Sequence, residues 1–138
     1  MTGTLIYKKF ISRADIQATF PTHIYLFGDN MQRVGMGGQA ASMRGEPNSF
    51  GVPTKWAPDS QTSSYFKDED WGLVEDAILF PFLIALAWIK AGKTVVTPLD
   101  GLGTGLAELP TRAPKISETI QIRLEILEVH ALTRRDRT

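Results

Sequence analysis

An α/β layered domain is the fold class this sequence predicts, and three observations predict it. Short β-favouring apolar runs alternate with helical stretches, the pattern of a sheet covered by helices. The run His23-Ile24-Tyr25-Leu26-Phe27 has almost no polar interruption, which suits a central strand covered on both faces. Two glycine-rich segments each follow such a run: Gly28-Asp29-Asn30 with Gly35-Met36-Gly37-Gly38-Gln39, and Asp100-Gly101-Leu102-Gly103-Thr104-Gly105-Leu106. Ligands of layered α/β sheets gather at the carboxyl ends of strands, so the two segments are expected to be two halves of one ligand cradle.

The elements follow in order. Leu5-Ile6-Tyr7 reads as a first strand. Ser12 then caps a helix of about two turns, with Asp15 completing a capping box and Ile11 and Ile16 placed as a hydrophobic staple. After the strand at 23–27, residues 31–48 are rich in Gly, Arg, Met and Gln and read as a long loop with a helical turn near Gln39 to Met43. Ser49 to Thr54 is a weaker strand, because Pro53 cannot donate to a ladder and suits an edge or a strand end. Asp68-Glu69-Asp70 favours a helix start, and that helix is expected to reach Ala91, stop at Gly92, and bend or divide at Pro81. Thr94 to Pro98 is a clear strand, and Ile116, Ile120, Leu124 and Leu127 mark an amphipathic final helix with Pro114 near its start. Val129 to Leu132 is read as a last strand, giving one domain over 1–132 with a charged, frayed tail at 133–138.

The bulk composition narrows the function classes. A chain of 138 residues can enclose one substantial core, and a formal net charge of +0 gives no global field for nucleic acid or an acidic membrane. The absence of cysteine excludes disulfides, thiolate metal sites and cysteine nucleophiles, and agrees with a reducing cytoplasm. The apolar run from Ala77 to Ile89 is too short to span a bilayer core of about 30 Å and reads as a buried helix. The start of the chain lacks the pattern of a secretion signal, so a cytoplasmic location is expected.

Glycine lets a backbone approach a ligand closely, so exposed N–H groups can surround phosphate oxygens. The candidate binding set is therefore Gly28, Asp29, Asn30, Gly35, Gly37, Gly38, Gln39, Gly101, Gly103, Thr104 and Gly105, with Lys55 as a charge clamp. Neither segment is a dinucleotide fingerprint or a P-loop. Asp29 either accepts hydrogen bonds from an adenine amino group or ribose hydroxyls, or caps the next turn, and Asn30 carries the same two readings. Asp100 either steadies its own loop or orients a water. Arg33 and Arg44 flank the first segment as phosphate partners or ordinary surface charges. Trp56, Tyr65, Phe66 and Trp71 either wall a base or pack. His23 and His130 are isolated, with no metal-ligand spacing, and nothing identifies a nucleophile.

Phe27 to Asn30, Gly35 to Ala40, Val52 to Lys55 and Thr97 to Leu106 together resemble a compact macro domain over residues 23–128. The likeness is especially close to small phage and bacterial proteins that share the GDN, GxGGQA, MRGEPN, IPTK and GTGLAEL motifs. The resemblance implies an α/β/α sandwich with a mixed sheet and an ADP-ribose-type ligand in a cleft at its top. By it, Asp29 lies near the adenine, Gly35 to Gly38 wrap the distal ribose and phosphates, and Gly101 to Gly105 hold the diphosphate, with no metal or other cofactor required. The glycohydrolases of that family tend to carry an acid just after the second loop. Ala107 stands there in this chain, with Glu108 one position on, and Lys55 does not match their catalytic lysine.

Two functions follow as expectations. The first is binding of ADP-ribose or a related nucleotide metabolite, extending to release of ADP-ribose from a protein or nucleic acid with Asp100 or Glu108 as the candidate base. The second is a phage-encoded interaction or inhibitor protein, in the host cytoplasm, that blocks a host partner or sequesters a nucleotide signal. The apolar helix and the 31–48 segment would then supply the interface.

Overall fold

The structure is a computed structural model and describes residues 2–138. Five strands, β1 (Thr4–Lys8), β2 (His23–Asn30), β3 (Ser49–Lys55), β4 (Thr94–Pro98) and β5 (Leu132–Asp136), form one sheet in the order β3-β2-β4-β1-β5. Every pairing is parallel, which corrects the expected mixed sheet. The physical reason is that every connection between successive strands contains a helix, and such crossovers return the chain in the same direction.

Strand alternation sends side chains to two cores. Leu5, Tyr7, Ile24, Leu26, Val52 and Val95 meet the long helices α3 (Trp71–Lys90) and α5 (Pro114–His130) and the short α4 (Leu109–Arg112) on one face. Ile6, Tyr25, Phe27 and Val96 meet α1 (Arg13–Ala18) and α2 (Ala40–Met43) on the other. The chain moves toward β3 through α1 and α2 and back toward β5 through α3 and α5. Opposite directions of travel use opposite faces, as right-handed crossovers require.

The first helix keeps its capping box: Asp15 N–H donates to Ser12 Oγ at 3.1 Å, and Ser12 N–H to Asp15 Oδ2 at 3.4 Å. β2 runs past its expected end through Asn30, because Gly28, Asp29 and Asn30 continue to pair with β3 across a register shift at Asp29 and Asn30. Helix α3 is not divided at Pro81. With the turn before it, Asp68–Lys90 is long and apolar enough to cross a membrane by length and composition. In this fold it lies on the sheet with Val74, Ile78, Phe82, Ala85 and Ile89 in the core, while Leu73, Phe80 and Leu83 stay exposed.

The carboxyl end of the chain departs from expectation. Val129 belongs to α5, which continues to His130, and Leu132 to Asp136 form β5 in place of a frayed tail, in register with Thr4 to Lys8. An edge strand needs no continuous apolar run, since one side of its backbone faces water, and its charged sequence reads locally as tail.

Tyr7 packs beneath the β5 edge with the Arg135 guanidinium 4.5 Å from its ring centroid. Burial and the Glu128 carboxylate push its hydroxyl up to about 12, with Arg135 opposing. A raised folded-state value means that the unfolded chain ionises first. Stability is therefore full below pH 10 and declines as the pH rises from 10 towards 12, and Tyr7→Phe flattens this decline in urea melts across that range. Leu26→Ala, at a fully buried position, lowers unfolding free energy by about 2–5 kcal/mol in urea titration.

Candidate functional site

The topology fixes where a site can open. β2 and β4 are neighbours, yet the chain leaves β2 toward α2 on one face and leaves β4 toward α4 and α5 on the other. Their carboxyl ends therefore diverge and leave a crevice. A cavity of about 280 Å³ occupies it and is lined by both glycine segments.

Gln39 ties the two segments together. Its Oε1 accepts the Gly28 N–H at 2.6 Å and its Nε2 donates to the Gly101 carbonyl at 2.9 Å, so one side chain spans the gap. The second segment is seated by a close approach: Gly103 holds φ +79°, and an added Cβ would lie 3.0 Å from both Leu109 and Thr54. A bulky residue at Gly103 would therefore disturb the fold itself. Gly37 and Gly105 have open space where a Cβ would go.

Beneath the first segment lies a closed charge cluster. Asp29 Oδ1 accepts from its neighbour's amide, Asn30 N–H, at 2.8 Å and from Arg44 Nη2, while Oδ2 accepts from Arg33 Nη1 at 3.1 Å and Arg44 Nη1 at 3.4 Å. A carboxylate offers roughly four acceptor positions, so this one is filled by the protein. Arg44 also donates to the carbonyls of Val34 and Gly35, and Asn30 Nδ2 donates to Val34 O at 2.8 Å. Asp29 thus fixes the shape of the loop through Arg44, and its backbone carbonyl takes a further bond from Thr54 Oγ1 at 3.1 Å. Asn30 Oδ1 is buried with no hydrogen-bond partner. Gly51, on β3, exists for this cluster: a Cβ there would lie 2.3 Å from Asp29 Oδ2.

Lys55, at the end of β3, is only 8 % exposed on the cavity wall. Its ammonium donates to the Asp59 carbonyl and lies 4.4 Å from the Tyr65 ring centroid. Arg112 also approaches that ring, at 3.7 Å. Among the described residues no carboxylate lies within ion-pair distance of Lys55. Asp59 is turned to Ser64 Oγ and Gln61 N–H, which together with the nearby Lys55 charge hold its carboxyl below the usual carboxylate range.

Of the residues expected from sequence, Gly28, Asp29, Asn30, Gly35, Gly37, Gly38, Gln39, Lys55, Gly103 and Gly105 line this cavity. Gly101, Thr104, Asp100 and Glu108 do not. Thr104 Oγ1 donates to the Asp100 carbonyl and closes its own turn, and exposed Glu108 sits 3.7 Å from Arg112. Trp56 and Phe66 pack edge to face, with ring centroids 5.3 Å apart and Phe66 in the core. Thr54 and Pro58 also line the cavity; the signal for Thr54 was the Pro53-Thr54-Lys55 strand end, and Pro58 lies in the loop beyond it, with no signal of its own. Among the described residues no group of three His, Cys, Asp or Glu side chains is placed to hold a metal ion.

β1 also sends its chain to the α1 face, so a second crevice opens on the other side of β4. It holds about 470 Å³ and is lined by Lys9, Phe10 and Ile11, by Pro98, and by Gln39, Ser42 and Met43. Gly38 and Gln39 are common to both cavities.

The fold and site thus define a parallel α/β protein with a glycine-walled crevice at a topological switch point. Residues 6–123 match a family of unknown function (DUF7831), and the chain belongs to that family. No curated protein and no solved structure matches it.

Asp29→Asn leaves the two arginines partly unpaired and lowers stability by about 3–5 kcal/mol in urea titration. Gly51→Ala disturbs the same carboxylate and shifts the amide resonances of Asn30 and Val34 in a heteronuclear NMR spectrum.

Proposed function

We propose that this protein, with an all-parallel sheet in place of the mixed one the macro resemblance implies, binds ADP-ribose or a related nucleotide metabolite in the crevice between β2 and β4. The observation that carries this reading is Lys55. It is a buried ammonium on the cavity wall, held by the Asp59 carbonyl and the Tyr65 ring and in no ion pair among the described residues, beside the backbone of both glycine segments. Buried charge is costly unless it is compensated, and a phosphate or diphosphate gives this ammonium a direct anionic partner while loop amides share its oxygens. Binding is better supported than hydrolysis, since Asp100 and Glu108 are exposed and lie outside the lining.

A second reading, a protein that blocks a partner or sequesters a nucleotide signal, draws on the outer face of α3. Leu73, Phe80 and Leu83 are 74 %, 60 % and 61 % exposed there.

Calorimetry with ADP-ribose, NAD and cyclic ADP-ribose decides between them. Saturable heat with one of these ligands is expected, weakened about tenfold or more by Lys55→Met, which removes a charge-assisted contact. Gly105→Trp fills the open side of the cavity, retains the thermal melt and abolishes the heat. No heat and no thermal shift with any of the three leaves the partner-blocking reading standing. Incubation with ADP-ribosylated protein and DNA separates binding alone from release of ADP-ribose.

A further inference from the structure

Behind the first glycine segment, on the side away from the crevice, lies a cavity of about 300 Å³ that the reading above leaves without a role. Arg33 lines this cavity and not the first. Arg33 holds φ +58°, a left-handed conformation that non-glycine residues seldom keep without a compensating reason. Its Nη1 is spent on Asp29 Oδ2 and the Gly51 carbonyl, at 3.1 and 2.8 Å. Nε and Nη2, the other edge of the guanidinium fork, have no partner among the described residues, and the side chain is 44 % exposed.

The surroundings of that edge are cationic and aromatic. Arg33 and Arg44 together face one carboxylate, Asp29, so the cavity carries a surplus of positive charge. Phe27, Phe50 and Phe80 form apolar walls from three different elements, and Arg44 lies over the Phe27 ring at 5.6 Å. Ser49 lines the same space, and its Oγ is buried without a hydrogen-bond partner. A bidentate fork beside aromatic walls fits a planar anion attached to a planar apolar body.

We infer that this cavity is a second ligand site, specific for a small aromatic carboxylate, with the carboxylate on the free edge of Arg33 and the ring between Phe50 and Phe80. It is independent of whether the crevice binds a nucleotide. Arg44 lines both cavities, so a ligand here sits directly behind the glycine segment.

Benzoate titrated into the isotopically labelled full chain tests this, with benzamide as the uncharged ring and acetate as the ringless anion. Saturable shifts of the Ser49 to Gly51 amides with benzoate are expected, with none from benzamide and weaker ones from acetate. Phe80→Ala removes an exposed wall and is expected to melt like the parent, whereas Arg33→Asn keeps a residue that tolerates the left-handed backbone but takes one partner from the buried Asp29 carboxylate, so it melts lower and its affinity is read well below that melt. Each weakens benzoate by about tenfold, the effect of one charge-assisted bond or one aromatic wall. The assignment is overturned if benzamide binds as well as benzoate, if benzoate shows no saturation at millimolar concentration, or if Phe80→Ala and Arg33→Asn leave its affinity unchanged.

Discussion

The Asp29 carboxylate, buried at the end of a central strand and sealed by two guanidinium groups, is the constraint from which the rest of the site takes its shape. A lone carboxylate at that depth would be expelled or protonated, so its burial is tolerable only with its acceptor positions filled. Filling them draws Arg44 inward, and Arg44 in turn holds the carbonyls of Val34 and Gly35. The first glycine segment therefore carries little regular secondary structure and still has a defined path. On the opposite strand, Gly51 leaves the space into which the carboxylate fits.

The position of β4 explains why the second segment meets the first. β4 lies between β2 and β1, and both of those strands lead to helices on the face that its own chain avoids. The end of β4 is consequently bordered by open space on both sides, and Gln39 crosses it like a strut between Gly28 and Gly101. Two glycine segments far apart in the chain become one wall through sheet order and one amide side chain.

Much of this was legible in the residues because local rules and the global fold agreed. The apolar runs of β1, β2 and β4, the capping box at Ser12 and the helical spacing of Ile116, Ile120, Leu124 and Leu127 all mark elements that exist. Strand order was not legible, since it depends on which strands pair and not on the composition of any strand. β5 was hidden because Thr133, Arg134, Arg135 and Asp136 serve a solvent-facing edge. At the site, the convergence of the two segments could be read from their places after strands. The role of Asp29 could not, because an arginine in a polar loop looks like any solvated charge until the fold brings it to a carboxylate. Gly101 and Thr104 look like ligand contacts in sequence, but they pack against each other within their own turn.

The two edges of the sheet bear on how the molecule behaves in company. With formal net charge +0, long-range repulsion does little to keep copies apart, and an open parallel sheet exposes two unpaired edges to any passing strand. One edge, β3, contains Pro53, which has no N–H to offer, and the other, β5, carries Arg134 and Arg135. Protection against edge-to-edge assembly is therefore local: a missing donor on one flank and charged, ion-paired side chains on the other. That defence does not depend on the overall charge and stays in place near the isoelectric point, where net repulsion vanishes.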